Sequence, residues 1–411
     1  MFKRNIASNL STALSDTPVV LLNGARQTGK STLVQSLASQ GHPARYITFD
    51  DAGMLSAAKE DPSGFLAGLS GPVILDEIQR VPELFLAIKA QVDRNRQPGR
   101  FLLTGSANVL LLPGLAETLA GRMEIITLWP LSQGEIEGQK ESFVDRVFAK
   151  DLNNTTGKIL SHSDLVDRML RGGYPEVVQR PLAARRDAWF GSYITTLLQR
   201  DVRDLANIEG LTVMPRLLSL LASRSASLLN FSELSRSTTL PQSTLKRYIA
   251  LLETTFLVQF LPAWSSNFGK RLVKSPKVFL TDTGLMRHLM GLTPQRLEQE
   301  PQWIGPLLEN FVAMELRKQT TWSQTQPKMF HLRTQTGQEV DIILEDARGS
   351  LVGIEVKASG TVTAKDAQPL RLLADALGEK FIRGIILYGG SEVVPFGPYL
   401  HALPISSLFE S

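Results

Sequence analysis

Apolar residues follow two rhythms along this chain. In the first third they form short runs within residues 17–23, 73–75, 100–106 and 123–129, each bounded by polar or glycine-rich segments. Runs of that length read as strands of a parallel sheet buried on both faces. A helical pattern follows the first run through Ser39, so residues 1–150 are expected to form an α/β domain. From residue 161 the spacing becomes helical, with Leu165, Met169 and Leu170 on one face, a break at Gly172-Gly173-Tyr174-Pro175, and a second run over residues 185–205. Residues 151–210 are therefore expected to form a helical segment.

The next stretch has a different grammar. A short helical pattern at 230–236 is followed by a brief turn and by a longer helix over 241–253, opened by Pro241 at its first position. This is a helix-turn-helix pattern, and Leu245, Ile249 and Leu252 would face inward, leaving Gln242, Ser243, Lys246 and Arg247 outward. Strands at 257–261 and 277–280 flank a loop holding Lys270, Arg271 and Lys274, which reads as a wing and gives a winged helix over 211–295. In residues 296–411 a helix at 306–316 precedes strands at 329–332, 339–344, 351–357 and 383–388.

Candidate chemistry sharpens the first block. Gly24-Ala25-Arg26-Gln27-Thr28-Gly29-Lys30-Ser31, followed by Thr32, is the G-x-x-x-x-G-K-S loop in its required setting of strand before and helix after. The two glycines let backbone amides point inward onto phosphates, Lys30 reaches the β and γ phosphates, and Ser31 is placed to ligate magnesium. Asp76 and Glu77 end the second apolar run: Asp76 suits the metal and Glu77 the attacking water. ATP and Mg2+ are the expected cofactors. Ser106, at the end of the third run, is a candidate γ-phosphate sensor, with Thr104 and Asn108 as rivals and an N-cap as the plain alternative. Arg122 is a candidate finger acting on a neighbouring subunit's nucleotide, or a surface arginine. Arg200 suits either the phosphates or an ion pair with Asp204.

The segments GARQTGKST, ITFDD, VILDEIQRVPELF, LLTGSAN, LAGR and WPLS, in this order, resemble the prokaryotic AAA+ ATPases that carry a C-terminal domain known as DUF4143. The resemblance spans nearly the whole chain. It implies a P-loop NTPase with a three-layer α/β core, a helical lid, a winged helix and a C-terminal restriction-endonuclease-like α/β domain. It also implies homo-oligomers with nucleotide at subunit interfaces and Arg122 acting in trans. Gly173 and Pro175, in the lid of such proteins, would line the base pocket.

Charge and composition change two further points. Between Leu211 and Met290 there are ten Lys and Arg against three acids, a local excess of +7 in a chain of net charge +4. Lys246, Arg247, Lys270, Arg271 and Lys274 are therefore expected to meet DNA phosphates. In the last block, strand alternation gives Glu339 and Asp341 one face, and Glu355 and Lys357 one face. With Glu309 on the preceding helix these residues resemble the PD-(D/E)xK nuclease core, in an order similar to archaeal Holliday-junction resolvases. Glu309, Asp341 and Glu355 would then hold Mg2+ beside Lys357. A nuclease fold kept for binding, or a cross-strand ion pair, suits the same residues. The chain has no cysteine, which excludes disulfides and thiolate zinc sites, and no apolar stretch of roughly 18 residues, so a cytoplasmic protein with no membrane partner is expected. The leading expectation is an ATPase that binds and remodels DNA, branched DNA such as Holliday junctions included. The alternatives are a nucleotide-driven switch acting on a protein and an ATP-gated nuclease.

Overall fold

A computed structural model of the chain describes residues 1–106, 118–152, 160–199, 213–266, 271, 274–334 and 337–410. The chain divides into two compact units. The first comprises Lys3–Leu131 with Met1 and Thr254–Phe256; the second comprises Ser132–Glu253 and Leu257–Ser411 with Phe2. The first unit thus ends at Leu131, short of residue 150 where the apolar rhythm had placed a boundary. Residues 132–152 belong with the second.

The first unit is built on β1 (Val19–Asn23), β2 (Arg45–Thr48), β3 (Val73–Asp76), β4 (Phe101–Gly105) and β5 (Met123–Thr127). They form one sheet in the order β2-β3-β4-β1-β5, and every pairing is parallel. The central strands β1, β3 and β4 are buried along their whole length. This is why they read as unbroken apolar runs: a parallel sheet covered on both faces has no side to leave polar. One face packs Leu21, Leu75 and Leu103 against Phe49, Phe85 and Ile88, and the other packs Val20, Ile74 and Leu102 against Leu10, Leu14 and Val34. The carboxyl ends of β1, β3 and β4 deliver Asn23, Asp76 and Gly105 to the same edge, where the loops that follow can meet a ligand.

The second unit holds two sheets among its described residues. A three-stranded sheet of order β6-β8-β7 joins β6 (Ser227–Leu228), β7 (Val258–Leu261) and β8 (Lys277–Leu280), all antiparallel. The helices Phe231–Thr238 and Gln242–Thr254 lie between β6 and β7 in the chain. A six-stranded mixed sheet follows, built from β9 (Lys328–Arg333), β10 (Glu339–Glu345), β11 (Leu351–Lys357), β12 (Phe381–Tyr388), β13 (Val394–Pro395) and β14 (Leu400–Pro404). Its order is β13-β14-β12-β11-β10-β9. The helices Ile304–Thr320 and Gln368–Leu377 accompany it. The Gly172-Gly173-Tyr174 turn docks on the loop after β8. Gly173 N–H donates to Asp282 Oδ2 at 2.6 Å, and a Cβ on Gly172 would lie 2.2 Å from Asp282 Oδ1.

Candidate functional site

The loop between β1 and the helix Lys30–Gln40 needs backbone that only glycine adopts freely at two points: Gly24 has φ of 145° and Gly29 of 92°. A Cβ on Gly24 would sit 2.2 Å from the carbonyl oxygen of Leu128, so no side chain fits there. Lys30 is buried, and its ammonium donates to the carbonyl oxygens of Gly24 at 2.9 Å and Ala25 at 2.8 Å. Thr28 is fully buried and its hydroxyl donates to Ala25 O at 2.9 Å. Arg4 clamps the loop from outside, donating to Thr28 O at 2.8 Å and to Trp129 O at 2.7 Å. Gln27 takes a left-handed φ of 63°. Arg26 is half-buried, as is Ser31, while Thr32 is exposed on the first helical turn.

At the end of β3, Asp76 is 3% exposed and collects three hydroxyls. Ser31 Oγ lies 3.0 Å from both carboxylate oxygens, Tyr46 donates to Oδ2 at 2.7 Å, and Thr104 donates to Oδ1. Burial, and then the Asp76 carboxylate, push the Tyr46 phenol up to about 12. Glu77 is left-handed, with φ of 60° and ψ of 44°. Its amide donates to Thr104 Oγ1 at 3.1 Å, and its carboxylate accepts from the Gln79 amide. Gln79 also donates to Ser106 Oγ at 3.0 Å, and Ser106 lies 3.3 Å from Glu77 Oε2. Thr104 therefore grips Asp76 and Ser106 grips Glu77; Asn108 lies outside the described residues. A hydroxyl and a carboxylate in contact, beside a glycine loop that opens a helix, fit Mg2+ and nucleotide phosphates. Ser31 and Asp76 would hold the ion, whose role when bound is to neutralise charge on the phosphates. Arg122 pairs with Asp93 and donates to Ala120 O at 3.0 Å.

In the second unit, the register Ile342 to Ile354 between β10 and β11 sets Asp341 beside Glu355 as alternation required. What alternation could not supply is Lys277, the first residue of β8. It is 1% exposed, and its ammonium lies 2.7 Å from Glu309, 2.9 Å from Glu339 and 3.3 Å from Asp341. Asp341 Oδ2 accepts the Val356 N–H at 3.0 Å, and Lys357 donates to Glu355 Oε2 at 2.9 Å. Glu355 Oε1 is buried with no partner. Burial, then the nearby Asp341 charge, push Glu309 and Glu355 each up to about 8. Burial works against the Lys277 ammonium, but Glu309, Asp341 and Glu339 outweigh it and raise its pKa. The expectation that Glu309, Asp341 and Glu355 converge on a metal is not met. Among the described residues no group of three or more acids or histidines is arranged to hold one. His331, on β9, is buried and driven down to about 4 by burial and by Lys277.

Part of the positive charge counted over residues 211–290 is also neutralised by acids. Arg271 pairs with both oxygens of Glu345, at 2.6 and 2.9 Å, and its guanidinium centre stands 5.3 Å from the Trp264 ring and 5.0 Å from Phe330. Arg287 pairs with both oxygens of Asp187 at 2.7 and 2.8 Å, and Arg224 pairs with Glu233 at 2.6 Å. With Lys277, four of the ten cations are therefore committed to acids, most of them from segments outside the counted window. Arg271, expected at DNA phosphates, is held by Glu345 at the end of β10. Lys270, Arg200 and Asp204 lie outside the described residues. Arg216, Arg236, Lys246, Arg247 and Lys274 are exposed, as are Gln242 and Ser243, while Leu245, Ile249 and Leu252 are buried as expected. Pro175 opens the short helix Pro175–Val178, whose N-cap Tyr174 is fully buried. Within its unit this turn anchors on Asp282 through the Gly173 N–H.

Comparison with known sequences fits this division. A model described as AAA domain matches residues 16–137, one described as domain of unknown function (DUF8612) matches 162–296, and one described as domain of unknown function (DUF4143) matches 304–408. The three-stranded sheet thus falls in the DUF8612 match, and the DUF4143 match covers the six-stranded sheet. The uncharacterized protein Rv2008c of Mycobacterium tuberculosis is 32% identical over 409 residues, covering 99% of this chain and 84% of that protein. The chain belongs to this family of AAA proteins with a C-terminal DUF4143 domain. A Haemophilus influenzae family relative is 28% identical over 254 residues, 59% of this chain and 56% of that one. Among solved structures, a Walker-type ATPase of Pyrococcus abyssi matches with a TM-score of 0.41 and 15% identity, over 70% of this chain and 96% of that one. No helix of the described residues is long and apolar enough to cross a membrane.

Four residues of these sites escaped sequence reasoning: Arg4, Tyr46, Gln79 and Lys277. Gln79 had a signal, since it lies two residues past Glu77. The other three reach their partners only through tertiary contact.

Proposed function

We propose that this AAA protein is an ATPase that hydrolyses ATP at the end of β1 and β3 and couples that hydrolysis to DNA. The observation that carries the ATPase reading is the arrangement around β3. Ser31 and Asp76 are in contact, while Glu77 is held by Gln79 and Ser106 at the next position, where it can orient a water on the γ-phosphate. Lys30 and the inward amides bind the phosphates. Arg122 in this reading leaves Asp93 to serve the nucleotide of a neighbouring copy in a homo-oligomer. DNA is supported by the exposed Gln242, Ser243, Lys246 and Arg247, at the end of the helix that a winged helix offers to a groove.

A second reading, a nucleotide-driven switch acting on a protein, is favoured by one observation: four of the ten cations around the wing are already neutralised. The two part in one experiment. ATP hydrolysis is measured with no DNA, with duplex, with single strand and with a four-way junction, using Lys30→Ala as the blank. DNA coupling predicts stimulation by at least one form. It also predicts that Lys246→Ala with Arg247→Ala weakens that form's binding about tenfold and flattens its salt dependence by about two charges. Hydrolysis indifferent to every DNA form favours the switch.

A further inference from the structure

The residues that would hold a divalent ion in the C-terminal domain already hold a cation belonging to the chain. A magnesium or manganese site needs carboxylate oxygens converging within about 2.0–2.6 Å of one point. Here the convergence point of Glu309, Glu339 and Asp341 is the Lys277 ammonium, at 2.7, 2.9 and 3.3 Å. The second oxygen of Asp341 is spent on the Val356 N–H, and one oxygen of Glu355 on Lys357. The donor set therefore does not fit a metal.

The ammonium is not a placeholder that an incoming ion would push aside. Lys277 is fixed at both edges of its strand, opposite Leu261 of β7 and Leu228 of β6, so its backbone cannot withdraw without opening the three-stranded sheet. Its side chain is 1% exposed, and displacing its head group would leave a buried ammonium without its carboxylates, a strongly unfavourable state. An ammonium has three donors and no lone pair, so it cannot become a ligand and share the site.

We propose that Lys277 is the resident cation of this site, and that the nuclease-like carboxylates serve as a metal-free clasp. The clasp fastens β8 of the winged helix to the helix Ile304–Thr320 through Glu309, and to β10 through Glu339 and Asp341. The C-terminal domain then acts without a divalent ion of its own, and motion of the wing strand is passed directly to the six-stranded sheet. This inference is independent of the ATPase reading, since it concerns only residues of the second unit.

The test counts Mn2+ by electron paramagnetic resonance on nucleotide-free full-length protein carrying Asp76→Asn, which silences the first unit's seat. With Lys277 present, no Mn2+ should bind in a manner that Asp341→Asn removes. Adding Lys277→Met should create one site, at least about tenfold tighter than any residual binding and abolished by Asp341→Asn. An Asp341-dependent Mn2+ in the protein that keeps Lys277 overturns the proposal, and this comparison stands even where Lys277→Met does not fold. A folded Lys277→Met protein that gains no Mn2+ overturns it as well, because the carboxylates would then not be a cation seat at all.

Discussion

Two clusters in this molecule pair acids with a lysine, and they differ in what the lysine touches. Around Asp76, the lysine of the loop donates to backbone carbonyls, and the carboxylate is satisfied by the hydroxyls of Ser31, Tyr46 and Thr104. Around Asp341, the lysine donates straight into three carboxylates. A hydroxyl that now donates to Asp76 carries lone pairs, so it can turn and ligate an ion when one arrives; an ammonium has none. The first arrangement keeps a cation seat open to exchange, and the second closes it. A list of acidic residues at the right spacing does not separate the two cases, whereas the neighbour of the acid does.

The comparison breaks most visibly at Lys30. Lys30→Ala should lower ATP hydrolysis by about a hundredfold or more, because the ammonium stabilises charge on the transferred phosphoryl group and its backbone partners cannot replace it. Steady-state phosphate release measures this. Hydrolysis that survives the change would place the chemistry elsewhere and remove the contrast.

The second cluster has its own signature in pH. Glu355 is pushed from its usual 4.5 up to about 8, chiefly by burial, and its Oε1 is buried without a hydrogen-bond partner. A carboxyl raised in the folded state binds more protons there than in the unfolded chain, so its contribution to stability falls as pH climbs from 4.5 to about 8 and is flat above. Glu355→Gln resembles the protonated acid and cannot titrate. Urea unfolding at pH 5 and pH 9 should show the variant losing on the order of 2 kcal/mol less than the parent protein between the two. Parallel losses would mean that Glu355 keeps an ordinary carboxylate pKa in the folded protein.

Much of the fold could be read from the chain, and the reason is periodicity. The runs that became β8 and β11 were bounded as residues 277–280 and 351–357, matching Lys277–Leu280 and Leu351–Lys357. The loop glycines were legible because a phosphate cradle is local, its geometry set by residues adjacent in sequence, and Asp76 and Glu77 because they end an apolar strand run. The ion pairs were not legible. Arg271, Arg287 and Lys277 are neutralised by Glu345, Asp187, Glu309, Glu339 and Asp341, which lie far away in sequence. A local charge count sees the cations and misses those partners. Strand alternation names the face on which Asp341 sits, yet leaves open which residue of another sheet will meet it. Tyr46 escaped for the same reason, one strand away from the aspartate it serves.

Tyr46 therefore offers the finest cut on the comparison. If the seat around Asp76 is kept open by exchangeable hydroxyls, each hydroxyl should tune the ion without being indispensable. Tyr46→Phe removes one donor from Asp76 Oδ2, while Ser31 and Thr104 still hold the carboxylate in place. Partners that orient a metal ligand from behind act on the metal's affinity more than on the chemical step. The Mg2+ concentration for half-maximal hydrolysis should rise about three- to tenfold, with the maximal rate kept within about twofold. A loss of maximal rate with an unmoved Mg2+ midpoint would make Tyr46 a packing residue of β2. An unchanged protein would mean that Ser31 and Thr104 alone define the seat, which would narrow the difference between the two clusters to the lysine itself.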